Sequence, residues 1–440
     1  STKYQVFFNL ILKSVFIIAI VAVAMIGMIV PSAFAYTITD DATGGDCSTI
    51  GTWDSASKTC TLSGDLTEGI TIGSNYLTLD GNNFSITGNN PYYVDWEDPN
   101  SSFGIYFNTK ANVLIKNILI QNFHYGTYAN AVANSNIQNS EFVNNVKSQI
   151  FFEYSIQNTI SNNLVTCDND SYAGGDDGIN VYFGENNSVL ENTITNCKSE
   201  GIRFIAEKNM DIKDNFVTMK MTEDLDSFGI SVDSGNWNEN YKVNVVDNTV
   251  KNSKYGMMIS AGENSIIRDN LISENILGLS ASGSSFEITG NIVSNNEKGI
   301  SLTSGSNQFF HNNLISNDVD GSGVWNHGGN YWGNVSPNCN DNDNDNLCDD
   351  PHPLKDISNI FDDIWIVQDG WKTTINTSDL SLESASPSGT IGTYSVSATH
   401  DGNSMPVSCD IPSGSIFSIG STSVVCTAQN DIHSTFTVTT

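Results

Sequence analysis

Basic side chains are scarce in this sequence: 18 Lys and Arg stand against 49 Asp and Glu in 440 residues. A surface of that sign repels phosphate backbones and anionic lipid, which excludes nucleic acid as a partner. It attracts divalent cations and keeps a chain dissolved in salt. No CxxC pair occurs, so the eight cysteines do not form a structural zinc set. They fall into four local couples, Cys47–Cys60, Cys167–Cys197, Cys339–Cys348 and Cys409–Cys426. An even set of disulfide candidates points outside the cytoplasm. Soft-metal chemistry needs clustered His, Met or Cys, and Met257–Met258 is the one close pair that could serve it.

Long apolar runs are missing, with one exception. Lys3 and Lys13 precede VFIIAIVAVAMIGMIV from Val15 to Val30, and Pro31 and Ala33-Phe34-Ala35 follow. Residues 1–35 therefore read as a secretory signal peptide cut before Tyr36, with an uncleaved membrane anchor as the alternative. Without the leader, 16 basic residues face 49 acidic ones, a net charge of −33. The apolar fraction of 39% is enough for packed cores, and the length suits two or three folded units.

Asn and Gly are abundant, and they recur. An Asn flanked by aliphatic residues returns at Asn117, Asn139, Asn163, Asn192, Asn215, Asn248, Asn270, Asn291 and Asn313, with gaps of 22, 24, 29, 23, 33, 22, 21 and 22. A Gly opening an alternating strand keeps step at Gly104, Gly126, Gly178, Gly201, Gly229, Gly256, Gly278 and Gly299. Each period holds two or three strands of three to five residues, too short to bury anything alone. Stacked at about 4.8 Å, they pile Ile, Val, Leu and Phe into one interior. The Asn is expected to take the left-handed turn and to hydrogen-bond the coils above and below. The longer gaps mark loops around Asp168 to Asp176 and Asn236 to Tyr241.

The expected fold class is all-β: a right-handed parallel β-helix solenoid over residues 62–335, followed by a small immunoglobulin-like β-sandwich. From Leu62 to Trp332 the repeat resembles the NosD-like and carbohydrate-binding or sugar-hydrolysing β-helix proteins. That resemblance implies a fold and no single activity, because the scaffold carries lyases, hydrolases, epimerases, adhesins and passive structures. Residues 36–61 would cap the first coil, tied by Cys47–Cys60.

Beyond the last coil, residues 336–372 hold an Asp-rich loop and a C-terminal cap. Asp341, Asp343, Asp345, the Leu347 carbonyl and Asp349 occupy positions 1, 3, 5, 7 and 9 of a calcium loop. His352 stands where an EF-hand has its bidentate Glu, so the loop is more similar to those of thrombospondin type 3 and dockerin modules, stapled by Cys339–Cys348. The ion expected there is a structural Ca2+. Residues 373–389 have linker composition. Residues 390–440 resemble the hyalin repeat through Ala398-Thr399, Cys409, Pro412-Ser413-Gly414, Phe417, Gly420 and Cys426-Thr427-Ala428. The resemblance implies a Cys409–Cys426 disulfide and a surface role.

Counting from each glycine gives the outward residues of one sheet: Tyr106, Tyr128, Asn180 and Arg203, with Phe151 from a coil near Gln149, then Ser231, Met258, Ser280 and Ser301. A second outward row holds Asn108, Asn130, Glu153, Tyr182, Asp233, Ser260 and Thr303. Exposed rings among carboxylates and an Arg suit a sugar chain, so Tyr106, Tyr128, Tyr182 and Arg203 are the expected ligand contacts and glycans or cell-surface polymers the expected partners. The leading expectation is a secreted or cell-surface protein that binds without catalysis. The alternative is a polysaccharide hydrolase, lyase or epimerase using Asp176 and Asp177 with Glu153, Arg203 and Asp233. Asp-Asp before Gly is similar to the paired aspartates of polygalacturonases, but that family's Gly-His-Gly and Arg-Ile-Lys motifs are absent. A NosD-like copper-associated periplasmic protein is the third.

The calcium loop generates the first prediction. A chelator should lower the melting temperature, and Asp343→Ala should do the same without chelator; an ion held at about a hundred times its dissociation constant contributes about 2.7 kcal/mol. Calorimetric scans that do not move in either case would count against a bound ion.

Overall fold

The computed structural model describes residues 36–88, 103–167, 176–222, 225–234, 241–262, 264–283, 285–303, 307–322, 330–332, 352–353, 361–362, 373–378, 380–382, 389–400, 403–428 and 432–439. The leader, residues 168–175 and 235–240 of the stretches expected to be loops, the five calcium-loop positions and Cys339–Cys348 fall outside that set. The chain divides into two units, 1–211 with 215–227, and 212–214 with 228–440.

In the first unit each full coil spends six residues on a first sheet and three on each of two others. Tyr125–Asn130, Asn136–Gln138 and Glu141–Val143 make one such coil. It pairs in parallel with Phe103–Asn108, Leu114–Lys116 and Leu119–Gln121 before it, and with Ser148–Glu153, Thr159–Ser161 and Leu164–Thr166 after it. Alternation sends one residue of each short strand inward, and identical register stacks these residues into columns. One column runs Ile115, Ile137, Ile160, Val189 and another Ile120, Phe142, Val165, Ile194, Val217, all buried. Each such side chain contributes about 1.5–3 kcal/mol of burial. The second unit repeats the scheme, with Ile230, Met257, Leu279 and Ile300 aligned inward on Phe228–Asp233, Tyr255–Ser260, Leu277–Ser282 and Lys298–Thr303.

The turn between the two short strands divides between adjacent residues the two roles expected of one Asn. Asn117, Asn139, Asn162 and Glu191 take the left-handed conformation, with φ of 54, 50, 55 and 56°. The next residue in each coil turns inward, and from Asn163 on it is an amide ladder. The Asn163 side-chain and backbone N–H groups both donate to Asn192 Oδ1 at 3.0 Å, and those of Asn192 donate to Asn215 Oδ1 at 3.1 and 2.9 Å. In the second unit Asn248, Asn270, Asn291, Asn312 and Asn330 are linked in the same way. Asn117 and Asn139 thus belong to the left-handed column, and at the last of the expected positions the rung is Asn312 rather than its neighbour Asn313.

Glycine opens the first-sheet strands because a neighbouring backbone lies against it. A Cβ at Gly126 would meet the Gln149 carbonyl oxygen at 2.4 Å, and one at Gly178 that of Gly201 at 2.4 Å. Gln149 replaces the glycine in the Ser148–Glu153 coil and is itself buried. Its amide exchanges hydrogen bonds with Asn145, donating to the Asn145 carbonyl at 2.6 Å and accepting from its side chain at 2.8 Å. That satisfaction is what lets a polar side chain occupy the position.

At the N-terminus, Tyr36–Ile38 pairs with Ile70–Ile72, and a short helix Cys47–Ile50 leads into the hairpin Gly51–Asp54 and Thr59–Leu62. Three of the expected disulfides are formed: Cys47–Cys60, Cys167–Cys197 and Cys409–Cys426. At the C-terminus small sheets enclose Phe417, Val424, Cys426 and Val438. Part of the stretch expected to be a linker belongs to them. Thr373–Asn376 pairs with Ser397–His400, and Leu380–Ser381 with Val438 and Thr439. The β-branched run Thr373-Thr374-Ile375 accounts for the strand, where Ser and Thr content alone suggested a tether.

The ladder predicts a sharp contrast between neighbours. Asn192→Ala should cost about 2–4 kcal/mol, since it orphans buried N–H groups of Asn163. Glu191→Gly, at the exposed left-handed position, should stay within about 1 kcal/mol of the parent. Urea midpoints check both, and equal costs would overturn the division of roles.

Candidate functional site

The first sheet of the first unit carries the chemistry. Three outward columns of side chains cross it, where strict alternation would give one of the three places to the glycine. The ladder skips the glycine: Tyr125 pairs with Phe103 and Thr127 with Ile105, so the residue before each glycine also faces outward. The columns are Phe103, Tyr125, Ser148, Asp177; Tyr106, Tyr128, Phe151, Asn180, Arg203; and Asn108, Asn130, Glu153, Tyr182, Ile205. Glu200 precedes Gly201 as Asp177 precedes Gly178, which puts the two carboxylates at one position of successive coils, where strands lie about 4.8 Å apart.

The rings form a continuous track. Tyr106 stacks on Tyr128 at 6.0 Å and Tyr128 on Phe151 at 5.2 Å; Phe103 and Tyr125 flank them at 5.2 and 5.3 Å from Tyr128, and Tyr182 meets Phe151 edge-on at 5.0 Å. At the sheet margin the track continues into the exposed, stacked pair Tyr154 and Phe183 at 5.3 Å, both in left-handed turns. Half-burial pushes the Tyr106 and Tyr128 hydroxyls up in pKa and that of Tyr182 to about 12, so all stay neutral hydrogen-bonding groups. Tyr128 donates to Glu153 Oε2 at 2.8 Å, and Asn130 donates to the same oxygen at 3.1 Å.

Charged groups collect at one end of the track. Asp177 is buried, accepts from Asn180 Nδ2 at 2.9 Å and lies 3.9 Å from the Lys147 ammonium. Burial pushes its pKa up, against the pull of Lys147 and Asn180. Glu200 Oε1 pairs with Arg203 at 3.1 Å, and the Arg203 guanidinium sits 5.8 Å from the Tyr182 ring centre. Burial raises the Glu200 pKa to about 8, with Arg203 opposing and Asp177 adding to the rise. Glu200 Oε2, Asn180 Oδ1 and Arg203 Nε are buried without a hydrogen-bond partner.

Of the residues singled out from sequence, Tyr106, Tyr128, Glu153, Asp177, Tyr182 and Arg203 share this face. Asp176 does not pair with Asp177: its Oδ1 accepts from the Lys198 backbone N–H at 2.9 Å and so holds the next coil. Asp233 belongs to the second unit, exposed at a strand end opposite Ser260. Met257 points into the core and Met258 outward, so the pair cannot converge on one ion. Among the described residues no group of three or more His, Cys, Asp or Glu side chains could hold a metal. Phe103, Tyr125 and Glu200 were not anticipated. The signal was available in the position before each glycine, but alternation alone predicts that position to face the same way as the one after it.

The model of the family described as right handed beta helix region matches residues 48–217 and 103–272, together more than half of the chain. The model described as periplasmic copper-binding protein (NosD) matches residues 226–345. No curated protein matches the sequence. Among solved structures, the A-module of the mannuronan C-5 epimerase AlgE6 from Azotobacter vinelandii is 10% identical, covering 66% of this chain and 90% of its own, with a TM-score of 0.49. The polygalacturonase from Erwinia carotovora ssp. carotovora is 13% identical over 67% of this chain and 96% of its own, with a TM-score of 0.42. A hyperthermoactive exopolygalacturonase from Thermotoga maritima is 10% identical over 61% and 80%, with a TM-score of 0.36.

The buried acid predicts a pH signature. Its folded pKa of about 8 lies above the usual 4.5, so the folded state holds the proton more tightly. Its contribution is fullest below pH ~4.5 and is lost as pH rises toward ~8, at about 1.4 kcal/mol per unit of separation. Glu200→Gln should therefore melt like the parent near pH 4 and at least roughly 2–4 °C above it near pH 9. A constant difference across that range would contradict the burial.

Proposed function

Since the chain belongs to the right-handed β-helix family, a scaffold that does not dictate chemistry, we propose from the face itself that it is an extracytoplasmic glycan-binding protein. The single observation that carries this reading is the ring track. Tyr106, Tyr128 and Phe151 recur once per coil, stacked on one another and half-buried beside Asn130, Glu153, Tyr182 and Arg203. Sugar rings present C–H faces that lie on aromatic planes and hydroxyls that pair with amides, carboxylates and guanidinium, so both halves of the recognition are present. Three disulfides suit an oxidising compartment, and the apolar N-terminal run suits export. A Ca2+ held by Asp341, Asp343, Asp345, Leu347 and Asp349 would order the segment after the last coil, and the C-terminal module, hyalin-like in its motifs, would act as a spacer or adhesive unit.

A second reading, a polysaccharide-active enzyme, is favoured by one specific observation: Asp177 and Glu200 hold equivalent positions on successive coils, and Glu200 stays protonated near neutral pH. Two carboxyls at equivalent positions on successive coils, one of them held protonated near neutral pH, are a candidate general-acid pair for glycoside chemistry. Assay of reducing ends and of unsaturated products across a polysaccharide panel separates the two readings, with Glu200→Gln as the inactive control.

For the binding reading, Tyr128→Ala and Phe151→Ala should each weaken a glycan found by array screening about tenfold, or about 1.4 kcal/mol. Unchanged titration isotherms for both variants, or an array without a ligand, would sink it.

A further inference from the structure

We infer that the Asp177–Glu200 end of the track is a subsite for an amino sugar, one whose ring carries a free primary ammonium next to a hydroxyl. This rests on the glycan-binding reading and specifies its ligand. The ground is an inventory of unmet hydrogen bonds. Glu200 is 4% and Asn180 1% exposed, yet Glu200 Oε2 and Asn180 Oδ1 have no donor. Asn180 cannot turn its amide to change this, because its Nδ2 is committed to Asp177 Oδ2 at 2.9 Å. Beside these two acceptors one buried donor, Arg203 Nε, lacks an acceptor. With the Glu200 proton released to solvent as the cation enters, two empty acceptors and one empty donor fit an ammonium with an adjacent hydroxyl, which offers several N–H groups and an acceptor oxygen.

A uronate fits the same inventory poorly. Its carboxylate brings only acceptors, would satisfy Arg203 Nε alone, and would enter beside Asp177. The cations nearby are already engaged, Arg203 by Glu200 at 3.1 Å and Lys147 near Asp177 at 3.9 Å. In sequence, the insertions that lead into the first-sheet strands, 89–102 and 168–175, contain no Lys or Arg. An ammonium also removes the cost of the buried acid, because a cation at Glu200 Oε2 supplies the compensation that water supplies elsewhere.

Titration calorimetry tests this with hexamers of glucosamine, N-acetylglucosamine and galacturonate, at about pH 6 and about 0.3 M salt so that long-range attraction to the acidic surface is screened. The glucosamine hexamer should bind at least about tenfold tighter than its acetylated counterpart, and galacturonate weakest of the three. Glu200→Gln should bring the amine preference close to unity, and Asp177→Asn should shrink it in the same direction if the first variant folds poorly. A preference that survives both substitutions is general attraction of a polycation and overturns the subsite. Equal or tighter binding of the acetylated hexamer or of galacturonate overturns it too, while leaving glycan binding standing. Binding by none of the three, with an array empty of other ligands, removes both.

Discussion

Every coil of this protein must offer its neighbours the same backbone donors and acceptors at the same places, and that constraint governs the rest. A slip of one residue would turn Ile137 or Phe142 outward and a polar neighbour inward. The buried amide ladder makes such a slip costly. Each Asn fills both hydrogen-bonding directions only when the next coil brings its own amide to the same height, as Asn163, Asn192 and Asn215 do. Where the period lengthens between Asn163 and Asn192, the ladder is undisturbed: Asn163 still donates to Asn192, and in sequence the additional residues lie between Cys167 and Asp176.

The candidate site exists because the same constraint is relaxed at one position. Glycine lets adjacent backbones approach, breaks the alternation and turns the column before it outward, the one holding Phe103, Tyr125 and Asp177. Buried amides of the solenoid are met by the next coil, as the Asn187 side chain is by Glu207 Oε1 at 2.6 Å. Two buried acids are met on one oxygen alone: Glu207, whose pKa burial raises to about 7, and Glu200, with an ion pair on Oε1 and no partner on Oε2. What sets Glu200 apart is that Asn180 Oδ1 and Arg203 Nε are unmet beside it on the ring-bearing face.

Much of this was legible in the sequence. The Asn and Gly periods gave the architecture, and the count from glycine gave the register that aligns Tyr106, Tyr128, Phe151, Asn180 and Arg203. The coil at Gln149 was readable from spacing even without its glycine. Two things were not. The left-handed and ladder roles fall on adjacent residues, and an Asn-Asn pair such as Asn162-Asn163 does not reveal which does which. The partner of Asp177 is Glu200, more than twenty residues away, and the adjacent Asp176 drew attention because proximity along a chain is easier to see than proximity across a stack. The bend at glycine is a tertiary effect, set by the carbonyl of the next coil.

The ladder bears on how long such a molecule lasts. Asn is the side chain that ages by attack of the following backbone nitrogen on its amide, and a chain this rich in it carries many such sites. In the stack both reacting parties are occupied. The amides of Asn163 and Asn192 are hydrogen-bonded to the coil above, and the nitrogens that follow them, on Leu164 and Thr193, donate to Ser140 and Asn163 carbonyls at 2.9 Å. At these rungs the most abundant chemical liability in the sequence is thereby held in the geometry least able to react.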